Sequence, residues 1–192
     1  PDPIDANLEK DNISCYGLND GSASVNIQGG SFPYTINWST NDSSFAIENL
    51  SSGEYSFFIT DHNNCTYNEV FAITEPDELL ISFETNNISC FGDNNGSISS
   101  NIIGGNGFYN YLWANNSTLS FIDNLSQGTY SLQVVDNKGC TKIDSSIIIE
   151  PPILSLVSTI NHVSCFGQNN GSIDLFISGG TGSYYPLWND SI

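Results

Sequence analysis

Five cysteines are the residues best suited to chemistry in this 192-residue chain. Cys15, Cys90 and Cys165 stand seventy-five residues apart, and Cys65 and Cys140 keep the same interval. No CxxC or HxxxH spacing accompanies them, so the usual zinc patterns are missing. Two cysteines per period, separated equally in the first two periods, read as a disulfide framework of an oxidising compartment. The simplest pairing is Cys15 with Cys65 and Cys90 with Cys140. Each bridge would close a loop within one period and contribute about 3–4 kcal/mol through chain entropy. Cys165 has no partner in its own period.

Oxygen donors come next. Asp93-Asn94-Asn95-Gly96 and Asp136-Asn137 place hard ligands on loops, and Asn19-Asp20 and Asp61 do the same earlier in the chain. Calcium takes such donors, so Asp20, Asp61, Asp93 and Asp136 are the metal candidates. The plain reading is that Asn, Asp and Gly are what tight turns are made of. Catalysis has less to work with. His62 and His162 are the only histidines, and neither recurs at the matching position of another period. No nucleophile, base and orienting group are thereby assembled. Gly104-Gly105 lacks the helix and lysine of a phosphate loop. We expect no enzyme activity and no cofactor, with calcium at these loops as the alternative.

The elements that position these residues repeat with them. NISCYGLNDGSASVNIQGG (from Asn12), NISCFGDNNGSISSNIIGG (from Asn87) and HVSCFGQNNGSIDLFISGG (from His162) are copies of one segment, and Trp38, Trp113 and Trp188 follow at the same interval. The chain is a tandem array. We expect repeats at 1–76 and 77–151 and the first half of a third at 152–192, with Glu75-Pro76 and Glu150-Pro151 at the joints. In the second copy, β-rich runs at 79–84, 97–103, 108–113, 119–122, 130–135 and 141–149 alternate with Gly-, Asn- and Ser-rich turns. The Asn95-Gly96 pair reads as a hairpin turn. No segment has a helical period. The expected fold is all-β, with tandem Ig-like antiparallel sandwiches, two complete and one truncated. Trp38, Trp113 and Trp188 take the place of the buried strand-C tryptophan. Leu50-x-x-Gly53-x-Tyr55 and Leu125-x-x-Gly128-x-Tyr130 have the form of a tyrosine corner. Such periodic aromatics are core rather than a sugar-stacking platform.

Composition narrows the partners. Lys and Arg total 3 against 21 Asp and Glu, a formal charge of −18. A surface of that sign repels phosphate backbones and anionic lipid, which argues against nucleic acid and membrane insertion. With no methionine, no signal peptide and no spanning run, the chain reads as a segment of a longer protein.

Taken in order, SCFGDNNGSI, the double glycine, FYNYLW, LSQGTY, VVDNKGC and IIIEP resemble the SprB-type repeat of large surface adhesins of gliding Bacteroidetes. The resemblance implies export, an extracellular or cell-surface location, and adhesion or spacing without catalysis. The partners it implies are a surface polysaccharide or other extracellular ligand and neighbouring repeats. The rival reading is a passive spacer or accessory glycan-binding module of a secreted polysaccharide-degrading enzyme. The cysteines leave a second alternative. A strict Ig topology puts the first turn and last hairpin of a module at opposite ends, which would join Cys15 to Cys140 between modules instead. Pairing within modules is the expectation carried forward, because a small core most needs its own staple.

Overall fold

The computed structural model describes residues 2–189 and contains strands and turns but no helix among them. The first copy has β1 (Asp5–Asp11), β2 (Gly21–Gln28), β3 (Thr35–Trp38), β4 (Ala46–Leu50), β5 (Gly53–Thr60) and β6 (Thr66–Ile73). These form two antiparallel three-stranded sheets, ordered β1-β2-β4 and β3-β5-β6. That is the A-B-E and C-F-G arrangement of an Ig-like sandwich lacking the short D strand. The second copy repeats it with β7 (Leu80–Asn86), β8 (Gly96–Ile103), β9 (Asn110–Trp113), β10 (Phe121–Leu125), β11 (Gly128–Val135) and β12 (Thr141–Ile148), ordered β10-β8-β7 and β12-β11-β9. The third contributes one antiparallel ribbon, β13 (Ser155–Asn161) with β14 (Ser172–Ser178). The fold is all-β and Ig-like.

Backbone contacts divide the chain into two compact units. One comprises Pro1–Ile81, Ile102–Asn110 and Val134–Lys142; the other comprises Ser82–Asn101, Tyr111–Gln133 and Ile143–Ile192. The first unit therefore holds the whole first sandwich together with two loops of the second copy.

Period-2 alternation builds the core. Ala23 and Val25 of β2 turn inward, as do Ile36 and Trp38 of β3, Phe57 and Ile59 of β5, and Phe71 and Ile73 of β6. Trp38 packs on Phe57 and Phe71 with ring centroids 5.2 and 6.0 Å away, and its indole N–H donates to Ser44 O at 2.7 Å. In the second copy Ser146 stands where Phe71 does and hydrogen-bonds Thr85 at 2.8 Å. Phe83 stands where Leu8 does and packs on Trp113 at 5.8 Å. A large side chain has moved from the last strand to the first, so Trp113 stays 1% exposed. The two corners form as expected, with Tyr55 and Tyr130 each donating to a carbonyl 3.0 Å away, those of Ser51 and Ser126. A second tyrosine lock was not foreseen: Tyr109 donates to Gly104 O at 2.6 Å, and Tyr34 and Tyr184 repeat the bond to Gly29 and Gly179.

Two expectations need correction. The hairpin turn is not at Asn95-Gly96. Leu18 N–H donates to Cys15 O, and Asp93 N–H to Cys90 O, so the turn is Cys-aromatic-Gly-x with Gly17 and Gly92 at positive φ. Gly96 instead starts β8, where a Cβ would meet Ile148 at 2.8 Å and Leu125 O at 3.0 Å. Second, Trp188 is not core. It is 57% exposed, whereas Trp38 is 3% exposed and packed on Phe57 and Phe71.

Candidate functional site

The cysteines do not pair within modules. Cys15 is bonded to Cys140, with Cα atoms 5.6 Å apart, while Cys65, Cys90 and Cys165 are exposed free thiols. The expected Cys15–Cys65 and Cys90–Cys140 bridges are corrected accordingly, and the reason is strand length. Ile13 N–H donates to Thr74 O, and Glu75 accepts from Gly17 N–H at 2.9 Å, so Cys15 lies beside the end of β6. Cys65 immediately precedes β6, beside Ser31, which donates to Asp61. Eight residues of strand separate the two places by about 26 Å. No disulfide spans more than about 7 Å between Cα atoms.

Around Cys15–Cys140 the first unit builds a polar cluster. Asp136, 3% exposed, anchors it. One oxygen accepts from the backbone N–H groups of Lys138 and Cys140 at 2.8 and 2.9 Å, holding the last hairpin closed. The other accepts from the backbone and side-chain N–H groups of Asn106 at 2.7 and 2.8 Å. The Asn106 amide also donates to Ser14 O at 2.9 Å, next to Cys15. Burial pushes the Asp136 carboxyl up, but the bonds from Asn106, Cys140 and Lys138 outweigh it and hold the pKa below the ordinary aspartate value. Asp61 is buried in the equivalent place. Burial again opposes ionisation, and backbone donors of Cys65, Ser31 and Asn63 with the nearby His62 reverse the sign. A half-exposed Lys142–Glu78 ion pair at 3.0 Å flanks the joint, a contact worth about 0–1 kcal/mol.

The four carboxylates proposed for calcium therefore stand in three different settings. Asp61 and Asp136 already bind backbone N–H groups. Asp20 accepts from the hydroxyl and backbone N–H of Ser14, which lower its pKa, and it closes the cysteine turn. Asn95 and Asn170 make the same backbone bond in the other copies, at 3.1 and 3.0 Å, so an uncharged amide does the same work. Asp93 is exposed on its turn. Among the described residues no three His, Cys, Asp or Glu side chains are grouped to hold a metal. No helix of the described residues is long and apolar enough to cross a membrane.

What the turns expose is aromatic. Tyr16 and Phe91, each following the turn cysteine, are 55% and 52% exposed, and Phe166 of the third copy is fully exposed. The loop after the double glycine adds Phe32 and Phe108, 82% and 87% exposed, and Phe108 has φ of 46°. A bulky residue at positive φ is strained backbone, which folded chains tend to keep at functional positions. These rings are separate from the tryptophans and corner tyrosines that the sequence pattern brings forward. The signal was present in the sequence: an aromatic directly after the cysteine in every copy.

Comparison with known proteins bears on the repeat itself. The family model described as SprB repeat matches residues 7–43, 82–118 and 157–191, more than half of the chain. No curated protein matches. Among solved structures, the amphioxus IgVJ-C2 molecule is similar over 74% of this chain and 95% of its own, with 15% identity and a TM-score of 0.32.

Proposed function

Because the chain belongs to the SprB repeat family, a family of cell-surface and secreted repeat proteins, we propose that it is a non-catalytic adhesive segment that meets an extracellular polysaccharide through its exposed turns. One observation carries the reading: the cysteine turn presents an exposed aromatic ring in each of the three copies, Tyr16, Phe91 and Phe166. An exposed aromatic ring offers a broad apolar face that can stack on the apolar face of a sugar. A spacing of one ring per repeat suits a repeating polymer, since weak contacts on one chain multiply through effective concentration. The charge of −18 favours neutral or cationic glycans over anionic ones. Export to the cell surface and a part in attachment or gliding belong to the same proposal.

The test is a glycan array and affinity electrophoresis in gels cast with neutral polysaccharides. Wild type should be retarded by at least one of them. A variant with Tyr16→Ala, Phe91→Ala and Phe166→Ala should lose at least about tenfold in affinity, about 1.4 kcal/mol, with unchanged thermal unfolding. Retardation unaffected by the triple substitution would remove the turns from the site. Retention of the segment in a secreted polysaccharide-degrading enzyme, with no binding of its own, would favour the spacer reading.

A further inference from the structure

We infer that the cross-repeat bond recurs along the array: the groove beside Cys90 takes the C-F-G-type sheet that completes the third repeat, sealed by a disulfide from Cys90 to the cysteine of that sheet's last hairpin. Three independent observations lead there.

The first is the bare face. Leu156 of β13 and Ile173 of β14 are 61% and 52% exposed, whereas their counterparts Ala6 and Ala23 are 8% and 2% exposed beneath β3-β5-β6. Leu154, Leu156, Leu175 and Ile177 line a groove on that face, together with Cys90. What covers that face in the first copy is known from the same chain: a sheet bearing Trp38, Phe57 and Phe71.

The second is a partly assembled joint. Asn106 donates to Ser14 O in the first unit. In the second unit Thr181, one period after Asn106, donates to Ser89 O at 3.2 Å, one period after Ser14. The double-glycine loop of the third copy therefore already meets the cysteine turn of the second, as the loop of the second copy meets Cys15.

The third is the thiol. Cys90 is the counterpart of Cys15, which is bonded to a hairpin cysteine, yet Cys90 is free and exposed. Its counterpart partner is a cysteine in the Asp-x-x-x-Cys hairpin of the docked sheet, set as Cys140 is set by Asp136. The bond forms by thiol–disulfide exchange. The two thiols lose two protons and two electrons to a small-molecule disulfide oxidant, which leaves as two thiols.

Completing the third copy is the test. In a chain where residues 114–151 follow Trp188, β13 and β14 gain the sheet that covers their counterparts. With oxidised and reduced glutathione present, peptide mapping under non-reducing conditions should join Cys90 to the appended copy of Cys140, leaving Cys165 and Cys65 free. Amide exchange at Ile173–Ile177 should slow by at least about tenfold relative to the 192-residue chain. With Cys90→Ser the appended thiol should remain free while that protection persists. A bond from the appended cysteine to Cys165, a free appended thiol beside an intact Cys90, or unchanged exchange at Ile173–Ile177 would each overturn the inference. None of these readings involves glycan, so the outcome is separate from that of the adhesive proposal.

Discussion

Asn106 reaches from the double-glycine turn of one repeat to the carbonyl of Ser14 in the turn of another, 2.9 Å away and one residue from the disulfide. The same amide binds Asp136, so one side chain ties the cysteine turn to the hairpin that carries Cys140. Asn106→Ala should leave the fold intact and cost about 1 kcal/mol at the joint. The readout is the rate at which dithiothreitol reduces Cys15–Cys140, expected to rise about fivefold for that energy. Asn106→Thr, the residue used at position 181, should restore part of the protection. Equal reduction rates for wild type and Asn106→Ala would show that the amide does not guard the joint.

Asp136 and Asp61 give the stability a defined pH dependence. Both have folded pKa values below the ordinary value, near 3.9 for an unfolded aspartate. Their contribution is therefore fully present above the unfolded pKa and is lost as pH falls through the folded one. Denaturant midpoints should be level with respect to these groups above about pH 5 and fall below about pH 4. Relief of repulsion among the many carboxylates acts in the opposite direction, so the difference between variants is the useful quantity. Asp136→Asn should lower the midpoint at pH 7 and flatten the loss between pH 4 and pH 2. A variant curve parallel to wild type throughout would contradict the assignment.

The tryptophans should separate cleanly. Trp113 is 1% exposed and Trp188 is 57% exposed. Trp113→Ala should cost about 3–5 kcal/mol, and Trp188→Ala at most about 0.5 kcal/mol. Tyr130→Phe, which removes one hydroxyl bond to Ser126 O, lies between them at about 1 kcal/mol. Urea unfolding followed by fluorescence measures all three. A larger loss from Trp188→Ala than from Trp113→Ala would mean the third copy is covered in solution.

The strands were legible because alternation and turn residues are local properties. The runs read at 97–103 and 141–149 became Gly96–Ile103 and Thr141–Ile148. The tyrosine corner was legible because its spacing is fixed by one turn of backbone. Burial of a loop side chain is not local, and there the reading diverged. Asp61 and Asp136 looked like solvent-facing oxygen donors, yet both sit under the hairpin whose N–H groups they bind. An Asp four residues before a cysteine in both complete copies was the available sign. The cysteines misled through their regularity. Equal spacing of Cys15 to Cys65 and Cys90 to Cys140 invites pairing within a module, while the path of β6 carries the chain away from Cys65 before it returns beside Cys15. Strand topology, which sets the first turn and the last hairpin of a module at opposite ends, decides for Cys15–Cys140 over the need of a small core for its own staple.

The bond between repeats fixes how the cysteine turn of one copy meets the hairpin of the next, and disulfide mapping reads it without any substitution. The native, oxidised chain should be alkylated, digested without reduction and read by mass spectrometry. A peptide pair joining Cys15 to Cys140 is expected, with Cys65, Cys90 and Cys165 alkylated as free thiols. Peptide pairs joining Cys15 to Cys65 and Cys90 to Cys140 would contradict it.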